Sequence, residues 1–185
     1  MQLMTINTST AGKILNQRRA DPNYFIYWND VFYLLQIHPK SMEASDALKN
    51  KFLKTGQFTE EQVNEACRHF SLETLGKNQH FLEAGRRCSR IGFLESGILC
   101  TFVMDRDGHE VVKYFVEGGQ FFTDLESYEK DRPARLNILA LTEARIFYIT
   151  RSQKHALQQK IPPSDYAFKS FAAEALNRMI QTQHF

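Results

Sequence analysis

The chain has 185 residues, 43% of them hydrophobic and 24% charged, which suffices for one packed domain with an appendage but not for two large domains. Its formal charge of +2 at pH 7 is too small to argue by itself for a surface that tracks phosphates. No apolar run approaches the roughly 18–20 residues of a membrane helix, and the first twenty residues lack the apolar centre of a secretion signal, so secreted and integral-membrane readings fall.

Residues 1–45 read as an extension that begins polar and then becomes aromatic over Tyr24–Leu35. Three readings of it stay open: an element packed on the main body, a contact surface for another chain, or a stretch upstream of a start at Met42. From Ala44 to Phe70 the signals are helical. Ala47, Leu48, Lys51 and Phe52 fall at helical spacing, Gly56 breaks the run, and Thr59-Glu60-Glu61-Gln62 has the form of a capping box. Val63, Ala66, Cys67 and Phe70 give the second helix its apolar face.

After Ser71 the period changes. Short apolar runs end in turns at Gly76, Gly85, Ser96-Gly97, Asp105–Gly108 and Gly118-Gly119, a spacing that argues for antiparallel strands closing on themselves. Ile98–Met104 and Val111–Val116 should form a hairpin about the Asp-Gly turn, because both turn residues tolerate positive φ. Leu136–Leu141 and Ala144–Ile149 complete the strand set. The end is helical again: Thr150 or Ser152 caps a helix ending near Ile161, Pro162-Pro163 stop it, and Ser164 caps a long helix over Asp165–Gln183. On that helix Phe168, Phe171, Ala172, Ala175, Leu176, Met179 and Ile180 form one apolar stripe.

Cys67, Cys88 and Cys100 are an odd number with no CxxC pair, the usage of free thiols in a reducing cytoplasm. Cys88 lies among Arg86, Arg87 and Arg90, where positive charge would favour the thiolate; a turn cysteine among solvated arginines is the simpler reading. The histidines are scattered without metal-ligand spacing, so neither a metal nor a cofactor is expected. A cupin-like enzyme would need two or three converging histidines and a carboxylate, whereas the strand region holds only His80 and His109, and no GxSxG elbow or Walker loop is present.

Phe81-Leu82-Glu83-Ala84-Gly85, Ile91-Gly92-Phe93-Leu94-Glu95-Ser96-Gly97, Asp105–Val111, Pro133–Leu141 and Phe147-Tyr148-Ile149 stand in one order along the chain. With the helices around them, they make residues from about 47 to 185 resemble the sensor half of the CRP/FNR superfamily of transcription regulators, a cyclic-nucleotide-binding-like domain. The fold this implies is α+β: an antiparallel β-roll (a double-stranded β-helix, jelly-roll-like) over 71–150, with N-terminal helices at 46–70 and C-terminal helices at 151–185. The resemblance further implies that backbone N–H groups between the Gly-Gly turn and the strand after Pro133 hold a cyclic phosphate. A Glu would take the ribose hydroxyl and an Arg would neutralise the phosphate.

On this sequence the family's Gly-Glu pair falls at Thr123-Asp124 and its arginine at Arg135, so the expected ligand residues are Thr123, Asp124, Leu125, Arg132 and Arg135. Asp is a methylene shorter than Glu, and Thr123 adds bulk where a phosphate needs close backbone approach. Residues 105–131 also hold eight carboxylates against three basic side chains. The expectation is therefore a non-catalytic sensor with an unknown small-molecule effector that does not bind cyclic AMP in the usual way. The alternative is a protein-interaction scaffold with no small ligand. The resemblance also implies a homodimer through the long helix, with Phe171, Leu176, Met179 and Ile180 in the seam. The family's helix-turn-helix follows that helix, and this chain ends at Phe185, so no DNA binding is expected of it alone. The iron–sulfur variants of the family place cysteines near the N-terminus, where this sequence has none before Cys67.

Overall fold

The computed structural model describes residues 44–183; the aromatic run at 24–35 and the start proposed at Met42 lie outside the described residues. Helices α1 (Ala44–Leu53) and α2 (Glu60–Arg68) lead into eight described strands: β1 (Ser71–Leu75), β2 (His80–Leu82), β3 (Arg90–Ser96), β4 (Ile98–Met104), β5 (Glu110–Glu117), β6 (Gln120–Phe122), β7 (Asn137–Ala140) and β8 (Ala144–Thr150). A short helix α3 (Leu125–Lys130) is set between β6 and β7, and α4 (Arg151–Lys160) and α5 (Pro163–Gln183) follow β8.

The strands form two antiparallel four-stranded sheets, ordered β1-β8-β3-β6 and β2-β7-β4-β5. The expected α+β class and its hairpin are present, with Ile98 opposite Glu117 and Met104 opposite Glu110. Consecutive apolar residues in β3 and β6 explain how the roll and the helices share a sheet. Side chains alternate faces along a strand, so Leu94 and Phe122 enter the roll's interior while Phe93 and Phe121 enter a second core under the helices. Phe52 of α1 sits at the centre of that second core, with ring centroids 5.3 Å from Phe58, 5.5 Å from Phe171 and 6.0 Å from Phe70.

Gly97 shows a close approach where glycine is required by the backbone itself. Gly97 ends the β3–β4 connection at φ +99°, and a Cβ there would lie 2.5 Å from the Glu143 carbonyl oxygen.

The local caps follow the sequence closely at two helices. Thr59 and Gln62 form a reciprocal box on α2, and Thr150 and Gln153 do so on α4. At α5 the expectation is corrected: the helix starts at Pro163, and Ser164 lies inside its first turn, fully buried. Proline at the first helical position has its φ already set and no N–H to satisfy, so the Pro pair ends α4 and also starts α5. Among the described residues no helix is long and apolar enough to cross a membrane.

Candidate functional site

The segment from β6 to β7 builds a cleft by local hydrogen bonding. Asp124 caps α3: its Oδ1 accepts from the Ser127 N–H at 3.0 Å, and its Oδ2 accepts from the Leu136 N–H at 3.4 Å. Its side chain is buried, only 5% exposed. Ser127 extends the network, donating its hydroxyl to the Arg132 carbonyl at 2.5 Å and accepting the Cys88 N–H at 2.9 Å. α3 ends at Asp131 in the left-handed region, φ 51°, where the carboxylate pairs with Arg87 at 2.6 Å. One carboxylate and one hydroxyl thus fix both ends of the loop that carries Arg132 and Arg135.

The cleft above this segment has a volume of about 730 Å³ and is closed on one side by Leu176 and Met179 of α5. Of the expected ligand residues, Asp124, Leu125, Arg132 and Arg135 line it. Thr123 does not. Its hydroxyl donates to the Arg90 carbonyl at 3.1 Å and lies 3.1 Å from the Cys88 sulfur. Lys113, Tyr114 and Ser127 also line the cleft and were not anticipated; the alternation of β5 could not say which of its faces the cleft would meet. Burial pushes the Tyr114 phenol up to about 12.

The acidity counted along 105–131 is dispersed in space, which corrects the picture of an acidic site. Asp105, Asp107 and His109 gather at the exposed hairpin tip, within 4.8 Å of one another, and Asp105 Oδ1 there accepts the Asp107 and His109 N–H groups. Asp131 turns to Arg87. The cleft itself sets Lys113, Lys130, Arg132 and Arg135 against Asp124, Glu126 and Glu129. Glu126 lies below the ordinary carboxylate range, first through its hydrogen bond with Lys130 and further through Arg135 and Arg132. The rim is therefore cationic once Asp124 is committed to its cap.

The expected seam residues divide. Phe171 is a correction: it is 3% exposed and stacks on Phe121 at 4.2 Å, so it belongs to the chain's own core. The helix's first half must cover the Phe-rich face of β3 and β6, and only its second half is left outward. Leu176 and Ile180 are 45% and 46% exposed, while Met179 packs partly against the roll interior.

Cys88 is buried rather than a surface turn cysteine, and its thiol donates to the Arg90 carbonyl at 3.4 Å. The three cysteines are free thiols. Burial pushes Cys67 up to about 11 and Cys100 up to about 12, which keeps both protonated. The open groove of about 700 Å³ beside β1 and β2 is lined by Arg86, Arg87 and Arg90, but each faces a carboxylate: Glu83 at 4.0 Å, Asp131 at 2.6 Å and Glu73 at 2.6 Å.

Residues 72–160 match the family model described as the cyclic nucleotide-binding domain. No curated protein matches the sequence. Solved structures share the fold. A cyclic nucleotide-binding domain from Methylobacillus flagellatus is 13% identical at a TM-score of 0.61, over 82% of this chain and 83% of its own. The sensor domain of the transcriptional regulator DNR from Pseudomonas aeruginosa is 15% identical at 0.57, over 76% of this chain and 95% of its own. The Thermus thermophilus catabolite activator protein is 17% identical at 0.58 over 65% of this chain, which spans 56% of that protein. At these identities the likeness is one of fold.

Proposed function

We propose, from the premise that residues 72–160 form a cyclic nucleotide-binding domain, that this chain is a non-catalytic regulatory module that senses a small effector other than a cyclic nucleotide. The similar solved domains include sensor domains of transcription regulators, and a regulatory role is carried to this chain by that likeness alone. The observation behind the reading is that one cleft is lined both by the α3–β7 segment, at Asp124 and Arg135, and by the long helix α5, at Leu176 and Met179. A molecule held there would touch roll and helix together, and differential contact is what lets a ligand bias a helix.

The resemblance expects oriented backbone N–H groups in this segment to receive a phosphate. In this chain the Ser127 and Leu136 N–H groups already donate to the Asp124 carboxylate. A cyclic phosphate would have to displace a buried side chain from its own cap and place a second negative charge beside it. The cationic rim still favours an anionic or polar effector, with Arg135 as the group that meets it. On this reading the exposed stripe at Leu176 and Ile180 pairs two copies of the chain.

Thermal shift against a panel of small organic anions tests the proposal. A specific anion should raise the melting temperature of the wild type, and Arg135→Gln should weaken that shift. A panel that leaves the melting temperature unchanged throughout would support the scaffold reading instead.

A further inference from the structure

A second cavity lies one turn nearer the start of the same helix, with Leu125 and Glu129 between it and the cleft. It has a volume of about 310 Å³, between β6, α3, α4 and the first half of α5. Its walls are apolar, with Ile91, Phe121, Phe122, Leu125, Phe168 and Phe171. Ala172 and Ala175 lie on the α5 side, where small side chains leave the space open. At about 30 Å³ for each water-sized group, the cavity holds about ten heavy atoms, and it falls at the small end of the range for ligand pockets.

The charges on its rim are unequal in their commitments. Lys169 and Asp165 pair at 2.6 Å, and Gln158 donates to the other Asp165 oxygen at 2.9 Å. Glu129 is exposed and solvated. Lys154 differs from both: it is half-buried, and its ammonium lies 5.4 Å from the ring centroids of both Tyr128 and Phe168. Among the described residues it makes no ion pair, although Asp165 lies close enough for Lys154 to help hold it below the ordinary carboxylate range, after the larger effect of Lys169. Arg151, which also lies 3.9 Å from the Asp131 carboxylate, adds positive charge 4.5 Å from the centroid of the Tyr128 ring. A cation held against aromatic faces at the mouth of an apolar cavity is partly desolvated and gains most from an anion that brings its own apolar body.

We propose that this cavity is a second ligand site, for a small carboxylic acid whose alkyl or aryl body fills the space among the phenylalanines and whose carboxylate meets Lys154. The site is distinct from the cleft at Asp124 and Arg135, although Leu125 and Glu129 line both. Occupancy of one is therefore felt by α3 and α5, which also shape the other.

The probes are octanoate and octanol, matched in length and differing in charge, titrated calorimetrically into the full chain at neutral pH. Octanoate should bind saturably and octanol about tenfold more weakly, since a charge-assisted contact is worth roughly that factor. Lys154→Gln should weaken octanoate by about tenfold and leave octanol unchanged. Ala172→Leu should remove both by filling the cavity. Ala175→Leu fills the same cavity from the next position on the wall and replaces that variant if it fails to fold. Absence of saturable octanoate binding overturns the proposal, as does equal affinity for octanol, or binding that survives both Lys154→Gln and the cavity-filling change.

Discussion

Gly97 shows how strictly single positions are set in this roll. It combines φ +99° with a backbone neighbour, the Glu143 carbonyl oxygen, 2.5 Å from where a Cβ would sit. Neither can relax as a side chain does, so Gly97→Ala should destabilise by about 1–3 kcal/mol or more, read from the denaturant midpoint. Asp124→Ala should cost about 1–2 kcal/mol by removing the α3 cap, while Asp124→Asn, which keeps an acceptor, should cost less.

Exposed and half-buried carboxylates act together with pH. Glu65 is held below its ordinary range chiefly by the hydrogen bond from Lys160, Asp105 by the His109 N–H and Asp165 by Lys169. Each is depressed in the folded chain, so the unfolded chain binds more protons in the acid range. Their stabilisation is complete above the ordinary carboxylate range and is lost as pH falls through the lowered values. The melting temperature should therefore be flat near neutrality and fall below about pH 5; a chain that gains stability on acidification would contradict this. At this scale the capping box at Thr59 was legible, because it depends on residues three apart. The sequence left the cap of α4 open between Thr150 and Ser152, and the box of Thr150 with Gln153 came from the structure. The place of Ser164 was not legible, because Pro163 had already taken the first helical position and packing had buried the serine.

Among the elements, α5 carries two tasks along its length. Its first half is fastened to the roll through Phe168 and Phe171, and Phe121 of β6 is the ring they share, 6.5 Å and 4.2 Å away. Phe121→Ala should cost about 3–5 kcal/mol and loosen α5 more than the strands, as hydrogen exchange would show. Its second half leaves Leu176 and Ile180 outward. Each could contribute about 1.5–3 kcal/mol if fully buried in a dimer, against an association cost of about 4–15 kcal/mol, so the seam alone gives a weak dimer. Sedimentation at high micromolar concentration should find a dimer that Leu176→Glu dissociates, with the melting temperature of the variant matching that of the wild type diluted to monomer; a monomeric wild type would end that reading. Periodicity marked the whole stripe from Phe168 to Ile180 but could not divide it. The division comes from Phe93 and Phe121, which lie on the outer face of a sheet whose inner face is also apolar.

Across the whole molecule, glycine-punctuated strands were enough to read the roll, since each turn needs a local backbone geometry that the sequence displays. The cleft was legible only in part. Asp124 and Arg135 could be placed by resemblance, but their surroundings depend on strands and helices far apart in the chain, and a count of charges along 105–131 misjudged a site whose carboxylates point three ways. The central claim is that the cyclic nucleotide-binding fold is kept while Asp124 occupies the N–H groups a phosphate would need. Isothermal titration of cyclic AMP into the wild-type chain tests it most directly. No saturable heat at millimolar nucleotide is the predicted result, and binding in the micromolar range or tighter would contradict the account.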